Sequence, residues 1–106
     1  MLPSQRTIQK LKKEGWLVAS VEKYNSFIHQ RFDCFGFIDI LALKGKETLA
    51  IQATSTGNIN ARVEKILASS NYAIVKKAGW RVECWGFSKK GKKGKRKLWQ
   101  PKVVKL

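Results

Sequence analysis

Polar side chains interrupt two apolar runs in the middle of the chain. Asp39 lies within FGFIDILAL, and Gln52 and Thr54 lie within TLAIQATS. The apolar content of these runs predicts two β-strands, roughly 35–43 and 48–54. A buried, ionised carboxylate without a partner would cost several kcal/mol, so Asp39 requires a compensating group.

The polar turn between the runs, residues 44–47, sets which side chains meet. If these residues form the whole turn, Asp39 faces Gln52 across an antiparallel ladder, with Cβ atoms about 4.5–5.5 Å apart. Thr54 then shares their face of the sheet. The opposite face is expected to carry Ile38, Ile40, Ile51 and Ala53.

Two partners for Asp39 remain open on this spacing. The Gln52 amide can donate a hydrogen bond to the carboxylate. Alternatively, a divalent cation such as Mg²⁺ can bind both side chains, since it prefers carboxylate and other oxygen ligands. Such an ion assists attack on phosphorus and offsets the charge that develops there.

The charge of the chain is strongly basic. Lys and Arg number 22 against 7 Asp and Glu, a net charge of +15. Solubility alone needs a net charge of only about 2–8, so the excess predicts a polyanionic partner, with nucleic acid first and an acidic membrane surface second. The segment 88–97 is expected to be a flexible loop, because like charges repel and glycines add freedom. Its phosphate-binding candidates are Lys89, Lys90, Lys92, Lys93, Lys95, Arg96 and Lys97.

Several other classes of site are not predicted. His29 is the only histidine, and Cys34 and Cys84 lack metal-type spacing, so neither a zinc site nor a nucleophilic triad is indicated. The two cysteines are expected to be buried thiols in a reducing cytoplasm. The first ten residues lack the apolar core of a secretory signal, and no run is long enough to span a membrane.

The remaining elements predict an α/β fold with a small mixed sheet flanked by helices, formed by a single domain over residues 1–106. Loop is expected over 25–32, and Pro101 confines the last strand to a sheet edge. The helical face expected to be buried carries Val63, Ile66, Leu67, Ile74 and Ala78. Helices are predicted over 4–14 and over 60–78, with a break at 69–71, and further strands over 16–24, 80–87 and 98–104.

Three segments in order resemble the PD-(D/E)xK nuclease superfamily, nearest to its Holliday-junction-resolvase-like and small phage-type members. They are GFID at 36–39, LAIQATS at 49–55 and the helix that begins at Asn60. The resemblance covers about residues 4–88. It implies a restriction-endonuclease-like core (α-β-β-β-α-β), Mg²⁺- or Mn²⁺-dependent cleavage of DNA, including branched or Holliday-junction DNA, and action as a homodimer.

The resemblance also assigns roles to single residues. Asp39 takes the family's metal-binding aspartate position, Gln52 takes the second acidic position, and the backbone carbonyl of Ala53 completes the metal shell. Thr54 stands where the family has a lysine, and Gln5 falls near its helix glutamate. Only Asp39 therefore matches the family's usual residue types.

Nearby residues are candidates to replace the lysine and the second carboxylate that the family carries and this motif lacks. Arg62, at the flank of the apolar helical stripe, is the better candidate for the lysine role, whereas Lys65 is expected to meet solvent or phosphate. Asp33 is expected to cap a turn, with a place among the metal ligands as the alternative. Phosphate contacts outside the basic loop are expected from Gln5, Arg6 and Ser55.

Two rival functions remain open. The altered motif also fits a DNA-binding module that has lost its chemistry. Charge and size alone permit an RNA-binding protein of ribosomal type.

Overall fold

The computed structural model describes residues 2–90 and 98–106. The main sheet has five strands in the order β1-β4-β5-β6-β7, and β2 pairs only with β3 in a separate small sheet. Only β5 and β6 run parallel. The predicted α/β fold, a small mixed sheet with helices, is confirmed. Its elements are α1 (Pro3–Lys13), β1 (Leu17–Ser20), β2 (Lys23–Asn25), β3 (Gln30–Phe32), β4 (Ile40–Lys44), β5 (Glu47–Ser55), a 3₁₀ turn (Thr56–Asn58), α2 (Ile59–Ala68), α3 (Ser70–Lys77), β6 (Arg81–Lys90) and β7 (Leu98–Lys105).

The helical crossover from β5 to β6 explains their parallel pairing, since parallel neighbours require a long connection. Ser69 is extended and separates α2 from α3, and its hydroxyl accepts a hydrogen bond of 3.2 Å from the Asn71 N–H. The predicted break at 69–71 is therefore confirmed. Gly79 follows α3 with a φ of 86°, a left-handed conformation that favours glycine at a helix end.

The sheet is covered on both faces. The face toward α2 and α3 packs Phe37, Ile38, Ala50, Ile59, Ile66, Val75, Val82 and Cys84. The face toward α1 packs Leu11, Ile40, Ala42, Leu49, Ile51, Trp85 and Phe87. The predicted burial of Leu67, Ile74 and Ala78 is wrong: Leu67 and Ile74 are 52% and 66% exposed, and Ala78 is exposed as well.

The chain between β1 and β4 differs from the prediction. The expected strand 16–24 ends at Ser20, and β2 and β3 form a hairpin where a loop was expected over 25–32. The expected strand 35–43 begins only at Ile40, because a tight turn precedes it. Phe35 and Gly36 have φ values of 53° and 87° in that turn.

Ile38 does not share a face with Ile40. The N–H and the carbonyl of Ile38 bond with Cys34 at 2.9 Å in an isolated antiparallel bridge, and the chain bends at Asp39 before β4 begins. Ile38 joins the core beside α2 and α3, whereas Ile40 packs toward α1. The predicted shared face for these two residues is therefore wrong.

The hairpin of β4 and β5 has the expected register with a shorter turn. Lys44 pairs with Glu47, and Ile40 pairs with Ile51, so only residues 45–46 form the turn. At the other side, β6 reaches Lys90, so the basic loop starts later than residue 88, and residues 91–97 lie outside the described chain. Pro101 lies on the edge strand β7, as predicted.

Within the described ranges, no helix combines the length and apolar character needed to cross a bilayer.

Candidate metal centre

A cleft of about 310 Å³ opens where β1, β3, β4, β5 and α2 approach one another. Its side chains come from the chain just before β2, from β3 and the residue just after it, from the residue just before β4, from β5 and from α2. Its lining residues are Glu22, Arg31, Asp33, Asp39, Gln52, Ala53, Arg62 and Lys65.

Asp39 is fixed in this cleft by its backbone and by its side chain. Its N–H donates to the Ile51 carbonyl at 2.9 Å, and its carbonyl accepts from the Val21 N–H at 2.8 Å. Its Oδ2 accepts from the Gln52 amide Nε2 at 2.8 Å and from the Ala53 N–H at 3.0 Å. The predicted adjacency of Asp39 and Gln52 is confirmed.

Two oxygens in the cleft lack a hydrogen-bond donor. They are Asp39 Oδ1 and Gln52 Oε1, although both side chains are only 4% exposed. The Gln52 amide nitrogen already donates to Asp39, so its oxygen is the group left without a partner. Burial of an unsatisfied acceptor costs about 1–3 kcal/mol, which makes this pair of oxygens a site in need of a proton donor or a cation.

The Ala53 carbonyl lies on the same side of β5 as these oxygens. In a strand, the N–H and C=O of one residue point toward the same neighbour, and the Ala53 N–H points at Asp39. The β4 ladder ends at Ile40 and Ile51, so β4 provides no further ladder pair at Ala53. This carbonyl is therefore available as an oxygen ligand.

Three carboxylates converge at the cleft. Glu22, Asp33 and Asp39 each offer an oxygen, and these atoms lie within 4.8 Å of one another. The cluster is a candidate metal site, and Asp33 is one of its members. The pKa of Asp39 is raised from 3.8 to about 7, first by burial and then by a hydrogen bond with the Asp33 carboxyl, whereas the Ala53 N–H lowers it by less.

Glu22 was missed by the sequence reasoning. It was treated as part of a continuous strand over 16–24, where nothing distinguished it from an exposed strand residue. The signal that could have identified Glu22 is the rarity of acidic residues, since the chain has only 7 of them against 22 basic residues. In such a chain each carboxylate within an apolar segment is a candidate site residue.

Basic side chains surround the acidic cluster. Lys65 Nζ lies 3.3 Å from Asp33 Oδ2, and Arg31 Nη1 lies 3.7 Å from Glu22 Oε1. Arg62 lines the same cleft and is half-buried. Lys65 lines the cleft as well, and its side chain is 44% exposed, so α2 presents both cations to the cleft.

Two predicted site residues lie outside the cleft. Thr54 is buried, 6% exposed, and does not line it. It is two residues beyond Gln52, about 7 Å further along β5. Gln5 accepts a hydrogen bond from the Leu2 N–H at 3.2 Å and lines a neighbouring pocket, which shares Glu22 with the cleft.

The predicted phosphate-binding residues are distributed over the surface. The Arg6 guanidinium lies 4.3 Å from the Trp99 ring centre, and Lys89 Nζ lies 5.5 Å from it. Arg6 and Trp99 also line a groove between α1 and β7, together with Lys10 and Lys13. Trp99 is 43% exposed. Ser55 accepts from the Asn58 amide at 2.9 Å. Lys90 ends β6, and Lys92, Lys93, Lys95, Arg96 and Lys97 lie outside the described residues.

The thiols show no sign of a site of their own. Cys84 is buried, which raises the pKa of its thiol, and Cys34 is only half-buried. Both are free.

Comparison with known proteins yields no relative. No protein-family model, curated protein or solved structure matches this chain. The functional argument therefore depends on the chemistry of the cleft, and the resemblance to nucleases stays a prediction.

Proposed function

We propose that this protein is a metal-dependent endonuclease that hydrolyses phosphodiester bonds of DNA. The observation that carries the proposal is the pair of buried oxygens without donors, Asp39 Oδ1 and Gln52 Oε1, beside converging carboxylates. The core would be restriction-endonuclease-like, with β4, β5 and α2 supplying the site.

The donor set of the cleft fits Mg²⁺ or Mn²⁺. Every candidate ligand is an oxygen, which is the ligand type that these ions prefer. Asp39, Asp33 and Glu22 would offer carboxylates, Gln52 its amide oxygen and Ala53 its carbonyl. When bound, the cation supplies a Lewis acid for a phosphate oxygen and lowers the pKa of a coordinated water.

The basic residues of α2 take the role of the family's lysine. Arg62 and Lys65 border the same cleft as Asp39, so their charges act on a phosphate that enters it. Asp33 orients Lys65 through their 3.3 Å contact. Fixed cations beside a phosphoryl group stabilise the negative charge that grows on its oxygens in the transition state.

The surface charge supports a nucleic-acid substrate. The net charge of +15 favours phosphate backbones, and Arg6, Lys10 and Lys13 line a basic groove at α1 and β7. Contacts of this type hold a duplex in place without reading its sequence. Branched DNA as substrate and a homodimer with two clefts follow from the resemblance alone.

Cleavage assays on linear, nicked and branched DNA with Mg²⁺ or Mn²⁺ test this proposal. Asp39→Asn keeps the shape of the side chain but removes a charged ligand, so cleavage should fall at least about a hundredfold. Glu47→Gln is the matched control, since it also removes one negative charge but lies at the opposite end of β5. Equal cleavage by wild type and Asp39→Asn would remove the proposal.

A second candidate function is a DNA-binding module without catalysis. It is favoured by the raised pKa of Asp39, because a carboxyl that keeps its proton near pH 7 satisfies its neighbours without a cation. Gln52 in place of an acid points the same way. This candidate predicts DNA binding with no cleavage and no metal uptake that depends on Asp39.

The nature of the nucleic acid is tested separately. Affinities for duplex RNA, duplex DNA and junction DNA should be compared under one salt condition. Preference for DNA supports both candidates above, and strong preference for duplex RNA contradicts both.

A further inference from the structure

The hairpin of β2 and β3 exposes several large apolar side chains. Phe27 at its tip is 94% exposed, and its neighbour Ile28 is 52% exposed. Tyr24 and Phe32 on the two strands are 59% and 49% exposed. Because the two strands pair only with each other, the hairpin stands apart from the main sheet.

The tip of this hairpin is held in one conformation. The Asn25 side-chain oxygen accepts from the Phe27 N–H at 3.0 Å, an Asx turn that fixes the backbone beside the ring. The Tyr24 hydroxyl and His29 Nδ1 lie 3.1 Å apart and close the loop by a hydrogen bond. A loop whose backbone is already fixed by such hydrogen bonds loses less entropy when it binds a partner.

The hairpin also forms a groove of its own. Its volume is about 520 Å³, and the rings of Tyr24, Phe27 and Phe32 line it together with Lys23, Asn25 and Ser26. Aromatic rings beside an open groove are suited to stacking on a flat ligand. A nucleobase has both the size and the flat π-face that such a groove accepts.

The position of the hairpin connects it with the cleft. Arg31 on β3 and Glu22 just before β2 both line the cleft around Asp39. A nucleic-acid strand whose phosphate lies in the cleft would therefore place nearby bases within reach of the hairpin.

The charge of the hairpin selects the partner. Residues 23–32 contain Lys23, His29 and Arg31 and no acidic residue. An anionic partner with flat apolar groups fits this combination. A second copy of the hairpin fits less well, because each copy brings Lys23 and Arg31 and no acidic residue to pair with them.

We propose that the hairpin over residues 23–32 stacks, through Phe27, on an unpaired or unstacked base next to the phosphodiester in the cleft. The substrate class is then DNA with unpaired bases, as at bulges, bubbles and branch points. Insertion of apolar wedges at such positions avoids most of the cost of unstacking a matched duplex. This inference rests on the proposed nuclease function.

The test is binding of a bulged duplex and of a matched duplex in EDTA, with 2-aminopurine at the bulge as a reporter of stacking. Wild type should prefer the bulged duplex, and Phe27→Ala should reduce that affinity about tenfold while leaving matched-duplex affinity unchanged. Phe27→Trp should retain the preference. Ile74→Ala is the matched control, since Ile74 is an exposed apolar residue on α3.

An unchanged preference in Phe27→Ala, or no preference in wild type, overturns the inference. Two other outcomes also overturn it, in both of which Phe27→Ala leaves the DNA preference intact. In one, the variant loses self-association measured by light scattering. In the other, it loses co-sedimentation with phosphatidylserine vesicles. The assay needs no metal, so it separates the two proposals. Metal-dependent cleavage without bulge preference overturns only this inference, and bulge preference without cleavage overturns only the nuclease function.

Discussion

At the scale of single residues, the cleft contains an unresolved electrostatic conflict. Asp39 is 4% exposed, yet only one of its oxygens has hydrogen-bond donors. The Glu22 and Asp33 carboxylates each have an oxygen within 4.8 Å of an Asp39 oxygen. When no cation is bound, the folded protein must keep a proton among these carboxylates. Whether a proton or a cation is bound therefore depends on pH.

The first prediction concerns stability in the absence of metal. The pKa of Asp39 is about 7 in the folded protein against 3.8 ordinarily, so between these values the folded state binds more protons. Its contribution to the free energy of unfolding therefore falls as pH rises through that window. Asp39→Asn should be more stable than wild type in EDTA at about pH 8, by a margin that shrinks toward about pH 5.

Chemical denaturation at the two pH values measures this margin. Glu47→Gln should show no comparable pH dependence, because Glu47 is exposed at the far turn. A margin for Asp39→Asn that grows as pH falls would contradict the account.

The second prediction concerns an acid at position 52, where the nucleases that the motif resembles carry one. Gln52→Glu adds a carboxylate to the cluster, so it should tighten Mn²⁺ binding about tenfold. It should also lower the melting temperature in EDTA, because one more buried negative charge is then without a partner. Gln100→Glu adds the same charge on exposed β7 and should change neither quantity. If Gln52→Glu and Gln100→Glu change the Mn²⁺ affinity and the melting temperature equally, these quantities depend only on net charge and the prediction is contradicted.

At the scale of elements, the pairing of Asp39 with Gln52 was predictable because it depends on local rules. The short polar turn sets the register, and the side chains of a strand alternate in their direction. The face of Ile38 was not predictable in this way. The chain bends at Asp39, between Ile38 and Ile40, and the alternation of side chains fails across that bend.

Glu22 and the β2–β3 hairpin contribute to the cleft only through tertiary contacts between segments that are far apart in the sequence. Glu22 reaches the cleft only because the chain leaves β1 at Ser20 and turns into a separate hairpin. Nothing in the residue types of 16–24 marks that departure, since the segment reads as one apolar strand. The sequence therefore predicts one half of the site, and the other half comes from tertiary structure.

The third prediction concerns how α2 is seated on the sheet. Gly86 on β6 lies against the start of this helix, and a Cβ there would overlap the Ile59 side chain and lie 3.0 Å from Thr56 Cα. Gly86→Ala should destabilise the fold by about 1–3 kcal/mol through overpacking. It should also reduce cleavage, because α2 positions Arg62 and Lys65 at the cleft.

Denaturation of Gly86→Ala, Ile59→Ala and the double variant measures this effect. The cost in the double variant should be less than the sum of the single costs, since removal of the Ile59 side chain relieves the overlap. Additive costs would mean that the two side chains do not compete for the same space.

At the scale of the whole molecule, basic surfaces lie on both sides of the sheet. Arg6, Lys10 and Lys13 lie on α1, whereas Arg62 and Lys65 lie on α2 beside the cleft. The acidic cluster interrupts this positive surface at one place. A polyanion is thus attracted to the molecule as a whole, and the oxygen-lined cleft is where a cation can mediate the contact.

The fourth prediction is a steep salt dependence of DNA binding. Affinity should fall at least about tenfold between about 50 and about 200 mM salt, because phosphate contacts release counterions. Arg6→Gln should reduce the slope of log K against log salt by about one, and Asp39→Asn should leave it unchanged. Lys46→Gln, at the distant β4–β5 turn, is the control for loss of one positive charge. A salt-independent affinity would contradict the proposed phosphate contacts.

Calorimetric titration of Mn²⁺ into the metal-free protein at about pH 8 tests most directly whether the cleft binds a divalent cation. The account predicts one binding event in wild type and in Glu47→Gln, and its loss in Asp39→Asn. No event in wild type, or an equal event in Asp39→Asn, would contradict it.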